Sequence, residues 1–338
     1  MKSFNGKNGP LLIAEIGGNH EGNFDYAKGL TELACQSGVD AIKFQIYTGD
    51  TLVSPLEDPA RNKHFKKFEL SKNEYIELAE LCNFHHVAFT SSIWDISIIP
   101  WIDKYMSFYK IGSGDLTAYS LLKHIAEIGK PIVLSTGLST FDEVKASVRF
   151  IQKQNSVYRK KSYLAVLQCT SMYPIPLKDA NLNVMKKYKG EFGLTVGYSD
   201  HTVGSNAVKQ ALSMGAEIIE MHFTDDREGK TFRDHQISFT KEEIIELIGY
   251  INQINAIRGS DKKRPLESEI ESGHVRSFRR AIYPCKNIKK GEILTEQNIT
   301  ILRPNHGIDA RHYFDILGKS LKKNISKYEK LNWDDIEH

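Results

Sequence analysis

The stretch GLTVGYSDHTVGSNAVKQALSMGAEIIEMHFT, residues 193–224, decides the fold. A short β-rich run (193–200) leads into an amphipathic stretch (205–214), a glycine at 215 and a second apolar run (218–224). Runs this short read as strands, whereas apolar residues at helical spacing between them read as a helix. Gly215 stands where a helix needs a left-handed stop. Two strands joined through a helix lie parallel, so the stretch is one βαβ unit.

Working outward, the same unit recurs. Apolar runs at 11–17, 39–45, 87–92, 108–113, 131–137 and 164–170 bring the number of strands to eight, with helical periodicity at 25–36, 72–84, 119–128, 141–154 and, after the last run, 240–258. Gly38 and Gly129 sit past helix ends as Gly215 does. Eight βα units in about 250 residues match a TIM (β/α)8 barrel, while an open doubly wound sheet more often has five or six strands. No GxGxxG or Walker loop follows any run, which removes the main support for a nucleotide fold.

Past the last helical stretch the composition changes. GSDKKRPLESEIESG (259–273) is polar and charged, and the pieces beyond it (RRAIYPCKNI, GEILT, ITILRP, LGKSLKKNI) are short, strand-like and broken by turn residues. The chain therefore divides into a barrel at 1–260, a linker at 261–276 and a small β-rich domain at 277–338. That last segment is expected to bury little apolar surface alone and to pack on another surface.

The 338 residues carry 45 Lys+Arg and 42 Asp+Glu, a formal net charge of +3 with both signs interspersed, so no nucleic-acid partner is indicated. No run of about 18 apolar residues occurs and MKSFNGKNGP (1–10) is polar, so neither membrane insertion nor secretion is expected and a cytoplasmic location is. Cys35, Cys82, Cys169 and Cys285 are scattered without a CxxC and read as reduced thiols, mostly core.

Active sites of TIM barrels lie at the carboxyl ends of the strands. Here those ends carry Glu15; Lys43 and Gln45; Ser91 and Ser92; Lys110 and Ser113; Ser135 and Thr136; Thr170 with Tyr173 beyond; Ser199, Asp200 and His201; and Glu220 and His222. Residues two apart share a face, so Ile13 and Glu15, Ala41, Lys43 and Gln45, Gly197, Ser199 and His201, and Glu220 and His222 align in sets. Two lysines with hydroxyls at Ser91, Ser92, Ser113, Ser135 and Ser199 suit a small anion carrying phosphate and carboxylate. His201 and His222, on adjacent strands, could share a divalent metal or be ordinary hydrogen-bonded histidines.

AEIGGNHEG (14–22), IKFQ (42–45), YKIGSGD (109–115), KPIVLSTG (130–137), QCTSMYP (168–174), GYSDHT (197–202) and EMHFT (220–224) together resemble the sialic acid synthase family, whose members make N-acetylneuraminate, legionaminate, pseudaminate and related nonulosonic acids. KNIKKGEILTEQNIT (286–300) and RPNHGI (303–308) look like that family's antifreeze-like (SAF, β-clip) domain. The resemblance implies condensation of phosphoenolpyruvate with N-acetylmannosamine or a related N-acylated hexose, using a divalent metal, manganese in most members, with magnesium or cobalt as alternatives. It implies His201 and His222 as metal ligands, and Lys43, Ser92, Lys110, Ser113, Ser135 and Ser199 as holding phosphoenolpyruvate. Glu15 would position or deprotonate the attacking water, and Glu220 would lie beside metal and sugar. Gln45, Tyr173 and Asp234 would line the sugar side, and Arg303 would reach the sugar's acyl group from the neighbouring subunit of a domain-swapped homodimer. FRDH (232–235) departs from the family's frequent Gly-Pro-Asp-His, a change on the sugar side. Competing readings are a class I aldolase with Lys43 or Lys110 as Schiff base, a 3-deoxy-sugar phosphate synthase, and a non-catalytic carbohydrate- or ice-binding module on a degenerate barrel.

Overall fold

In the computed structural model, which describes residues 4–337, the apolar runs become strands and the periodic stretches become helices. Strands β1 (Gly9–Glu15), β2 (Ala41–Ile46), β3 (Ala88–Ile93), β4 (Tyr109–Ile111), β5 (Ile132–Ser135), β6 (Leu164–Cys169), β7 (Thr195–Ser199) and β8 (Ile218–His222) pair in parallel in chain order. β8 also pairs with β1, Leu11 opposite Ile218 and Glu15 opposite His222, which closes the expected (β/α)8 barrel.

The helical layer is α1 (Phe24–Gln36), α2 (Lys72–Phe84), α3 (Tyr119–Ile128), α4 (Phe141–Gln154), α5 (Val184–Phe192), α6 (Asn206–Ser213) and α7 (Lys241–Arg258). Ser71 with Glu74 and Thr140 with Glu143 form capping boxes that start α2 and α4. Two features were not legible in the periodicity. α5 is short and lysine-rich with an internal glycine, and it is helical because Met185 and Tyr188 are buried. Gly193, read as the start of a strand, instead caps that helix at φ 60°. Between β3 and β4 there is no full helix, only the short turns Ile96–Ile98, Ile99–Ile102 and Asp103–Tyr105.

Alternation along the strands separates two apolar layers. Leu12, Ala14, Ile42 and Phe44 face outward to the helices, whereas Leu11, Ile13, Ala41, Val133, Ala165, Leu167 and Ile218 fill the barrel interior. Phe4 and Phe108 join that interior cluster, brought in part by a turn that pairs Asn5 with Pro10. Asp40 holds the turn by accepting hydrogen bonds from the backbone N–H of Lys7 (2.7 Å) and Leu12 (2.9 Å). The interior is thus apolar at the amino end of the strands and polar at the carboxyl end.

The chain divides into two units between Arg258 and Gly259. In the second, β9 (Ala281–Pro284) and β10 (Ile299–Leu302) pair antiparallel, and single bridges such as Ile288 to Ile325 and Leu321 to Ile336 join the remaining pieces. Ile282, Leu294, Ile316, Leu321 and Leu331 are fully buried in its own cluster, so this segment encloses more apolar surface than its size suggested. The segment read as a linker carries two short helices, Glu267–Glu271 and His274–Ser277. Among the described residues no helix is long and apolar enough to cross a membrane.

Candidate active site

Strand register assembles the polar strand ends into one ring. Glu15 stands beside Lys43, Gln45 beside Ser92, Ser92 beside Lys110, Cys169 beside Ser199, Ser199 beside Glu220, and His222 beside Glu15. Gly197 has no side chain because none would fit: a Cβ there would lie 2.3 Å from the Ile218 carbonyl oxygen and 2.7 Å from Leu167.

Four charges, two of each sign, sit in this ring almost out of reach of water, with Glu15 at 1%, Lys43 at 3%, Lys110 at 2% and Glu220 at 6% exposure. Lys43 Nζ lies 2.7 Å from Glu15 Oε2, an ion pair out of line for a hydrogen bond, and Lys110 Nζ lies 3.3 Å from Glu220 Oε1. Gln45 Nε2 donates to Glu15 Oε1 (2.6 Å), Ser199 Oγ to Glu220 Oε1 (3.0 Å), and Lys43 Nζ to Ser92 Oγ (3.5 Å). The carboxylates differ in character. Burial raises the Glu15 pKa above the ordinary carboxylate value, against the pull of Lys43. Burial works the same way on Glu220, but Lys110 and Lys43 outweigh it and hold that group down to about 2. Burial also lowers the Lys110 ammonium pKa, although Glu220 opposes the change. Pairs this dry gain little net stability from their attraction, because desolvation offsets it.

The two histidines stand on adjacent strand ends with ring centroids 5.4 Å apart. His201 Nδ1 donates to the Thr170 carbonyl (2.7 Å), which leaves Nε2 with its lone pair free. The turn carrying it is fixed by Asp200, which accepts hydrogen bonds from Tyr198 Oη and Thr202 N. Burial pushes His222 down to about 3, so its imidazole is neutral at pH 7. Its Nδ1 is buried without a hydrogen-bond partner, the nearest carboxylate oxygen, Asp234 Oδ2, being 3.8 Å away. Adjacent imidazoles, that of His222 neutral, with an orphaned buried Glu220 Oε2 beside them fit a divalent cation. No group of three or more His, Cys, Asp or Glu is placed to hold a metal among the described residues, so the protein would supply two ligands and leave the other positions to water and substrate.

Tyr173 packs on both histidines, 4.0 Å from His201 and 5.7 Å from His222 between ring centroids. Ser135 Oγ is buried in the ring with no partner, and Ser113 Oγ accepts from the Gly137 N–H at 3.0 Å. Asp234 is buried in the turn after β8. Arg303 alone of the expected residues lies on the second unit, where its guanidinium sits over the Phe278 ring. Ser91 does not join the ring; its hydroxyl donates to the Phe44 carbonyl (2.9 Å). Thr136 and Thr170 likewise bond to backbone carbonyls, of Leu167 and Asp179.

Two residues at the site escaped the sequence reading, and a third, Arg233, was read only as part of FRDH on the sugar side. Cys169, expected to be ordinary core, lies 3.9 Å from His201 Nδ1; it shares a face with Leu167, so alternation could have found it had the strand been ended one residue earlier. Asn19 donates to the Phe223 carbonyl and to Ser238 Oγ, both at 2.8 Å, while its buried oxygen has no partner. Arg233 stacks on Tyr173, with Cζ 4.2 Å from the ring centroid, a placement no spacing rule shows.

Residues 30–263 match the NeuB family and residues 279–337 the SAF domain. The chain is 34% identical over 337 residues to the N,N'-diacetyllegionaminic acid synthase of Campylobacter jejuni, covering 95% of this chain and 98% of that one. It is 30% identical over 348 residues to the pseudaminic acid synthase of the same species, covering 99% of each. Among solved structures, the N-acetylneuraminic acid synthetase of Leptospira borgpetersenii superposes with a TM-score of 0.72 at 30% identity, over 79% of this chain and 91% of that one. With residues 30–263 matching its model and relatives of 30% identity or more along nearly the whole chain, the chain belongs to the NeuB family of nonulosonic acid synthases.

Proposed function

We propose that the protein condenses phosphoenolpyruvate with an N-acylated hexose in its open-chain form and with water, giving a nonulosonic acid and phosphate. The observation that carries this reading is the dry ring in which two lysines stand among Ser135 Oγ, Glu220 Oε2 and His222 Nδ1, all buried and without hydrogen-bond partners. Orphaned polar atoms in such a place are costly unless a ligand satisfies them.

In this reading Lys43, Lys110, Ser92, Ser113, Ser135 and Ser199 hold the phosphate and carboxylate of phosphoenolpyruvate as fixed charges and directed donors. Gln45, Tyr173 and Asp234 line the acceptor side. A divalent cation, manganese first and magnesium or cobalt as substitutes, would be held by His201 and His222 and supply Lewis-acid polarisation of the acceptor aldehyde. The enol carbon forms a bond to the aldehyde carbon, and positive charge develops on the carbon bearing the phosphate oxygen. Glu15 and Glu220 stabilise that charge, and Glu15 directs water onto the carbon and takes its proton. The carbon–oxygen bond of the adduct then breaks as the hydroxyl gained from water becomes the ketone carbonyl, phosphate leaves with the bridging oxygen, and the two protons of the water end on the former aldehyde oxygen and on phosphate. Arg303 enters as a residue contributed to the acyl group by a second copy in a swapped homodimer. Full activity from a species that sediments as a monomer would refute that contribution.

A second reading narrows the acceptor to a diacetamido-trideoxy hexose, favoured by the legionaminic and pseudaminic acid synthases among the relatives. Phosphate release from phosphoenolpyruvate, with N-acetylmannosamine set against the diacetamido-trideoxy hexoses, tests both. Activity is expected to fall with EDTA and return with manganese. Chelator-insensitive turnover trapped by borohydride would point instead to a Schiff-base aldolase.

A further inference from the structure

Three consecutive residues after β8 are anchored in three different sectors of the barrel mouth. Phe232 reaches the side of β1 and β2, where its ring lies 4.8 Å from Phe68 and where a Cβ on Gly18 would come within 3.0 Å of it. Arg233 reaches the opposite side, over the Tyr173 ring that follows β6. Asp234 turns inward and is buried, one oxygen 3.8 Å from His222 Nδ1 and the other accepting from Arg233 Nε at 2.8 Å. The segment forms a strap across the mouth whose middle residue is fixed twice, by its stack and by its Nε bond.

That fixing leaves a particular set of donors. The two terminal nitrogens of Arg233 make no hydrogen bond among the described residues, and the side chain is 56% exposed. A guanidinium held over an aromatic ring and bonded through Nε keeps its fork oriented with less freedom to lose on binding than a free surface arginine. The ring beneath it packs on both histidines, so the fork belongs to the acceptor side; phosphoenolpyruvate has its own cations in Lys43 and Lys110. The Asp234 carboxylate, bonded to Nε, offsets part of the charge and disfavours a phosphate dianion at the same place. A neutral, strongly accepting oxygen suits the fork best.

We infer that Arg233 is a specificity-determining residue for the acceptor, its terminal N–H groups donating to the carbonyl oxygen of an acylamino substituent, so that a diacetamido hexose is preferred over N-acetylmannosamine. This rests on the condensation proposed above. Phe232 serves it as a positioning residue, anchoring the strap against Gly18 and Phe68.

The test uses the full chain with manganese and follows phosphate release, first varying a 2,4-diacetamido-2,4,6-trideoxyhexose, N-acetylmannosamine or N-acetylmannosamine 6-phosphate at saturating phosphoenolpyruvate, then varying phosphoenolpyruvate at saturating sugar. The wild type is expected to use the diacetamido sugar with the highest kcat/KM. Arg233→Met, which keeps the stem, should raise KM for that sugar at least tenfold and change kcat and the phosphoenolpyruvate KM by less than twofold, with Arg233→Lys intermediate. An unchanged sugar KM in both variants would overturn the inference and leave the condensation standing. A fall in kcat together with a shifted phosphoenolpyruvate KM would overturn it in favour of a merely structural hold on Asp234. Preference for the 6-phosphate, lost in Arg233→Met, would overturn the acylamino assignment. No sugar-dependent phosphate release by the wild type overturns the condensation and this inference together.

Discussion

Lys43, Glu15, Lys110 and Glu220 are held where neither sign is stable alone, and this dictates how single substitutions behave. Lys43→Met leaves Glu15 buried without its counter-ion, and breaking such a pair costs about 3–5 kcal/mol in typical proteins. Urea denaturation should show that loss, and the double variant Lys43→Met with Glu15→Gln should recover a large part of it, since removing both partners removes the uncompensated charge. A double variant no more stable than Lys43→Met would contradict this. Activity adds a second readout: Glu15→Gln strands Lys43 and should lower stability in the same way, and in the molecules that remain folded kcat should fall by about 10²-fold or more, the scale of losing one directed electrostatic contact. His201→Ala and His222→Ala should each abolish the manganese response, measured as phosphate release against metal concentration. At this scale the sequence was legible wherever period 2 governs, which is why Glu15, Lys43, Ser199, Glu220 and His222 fall in one ring. Arg233 was not, because what places it is a stack across the mouth onto Tyr173.

Elements place these residues through backbone that tolerates little change. Gly22, with φ 77°, sits so close to the adjoining loop that a Cβ would lie 1.9 Å from the Lys67 carbonyl oxygen. Gly22→Ala therefore combines a left-handed backbone with a clash against main chain and should lower Tm by several degrees. In the second unit Asp309 accepts from Arg311 N (3.0 Å), Asn305 Nδ2 (2.7 Å) and Arg311 Nε (3.1 Å), and these bonds, the Arg311 backbone N–H first, hold its carboxyl down to about 2. A carboxyl whose pKa is lower folded than unfolded stabilises above the unfolded value, near 3.8, and that contribution disappears as pH falls towards 2. Denaturation of the wild type between pH 5 and 2 should show this loss, and Asp309→Asn should flatten it; an identical slope in the variant would refute the assignment. The strands and long helices could be read because their apolar residues recur at fixed spacing. The helix Val184–Phe192 could not, since its helicity depends on tertiary burial of two residues.

The whole molecule joins two units through residues that are exposed throughout from Ala256 to His274. Limited trypsin digestion should cut first after Lys262 or Lys263, Arg264 being protected by the following Pro265, and should leave both units as stable fragments. Early cutting inside the barrel would contradict the division. Net charge of +3 gave no hint of the site, because the lysines that define it are paired inside the barrel with carboxylates of equal number. The most direct measurement follows the bridging oxygen of phosphoenolpyruvate, labelled with ¹⁸O, through turnover with an N-acylated hexose. The label should leave in phosphate, and only when the sugar is present, because the adduct breaks its carbon–oxygen bond. Label retained in the organic product, or phosphate released at the same rate without sugar, would contradict a condensing site at the barrel mouth.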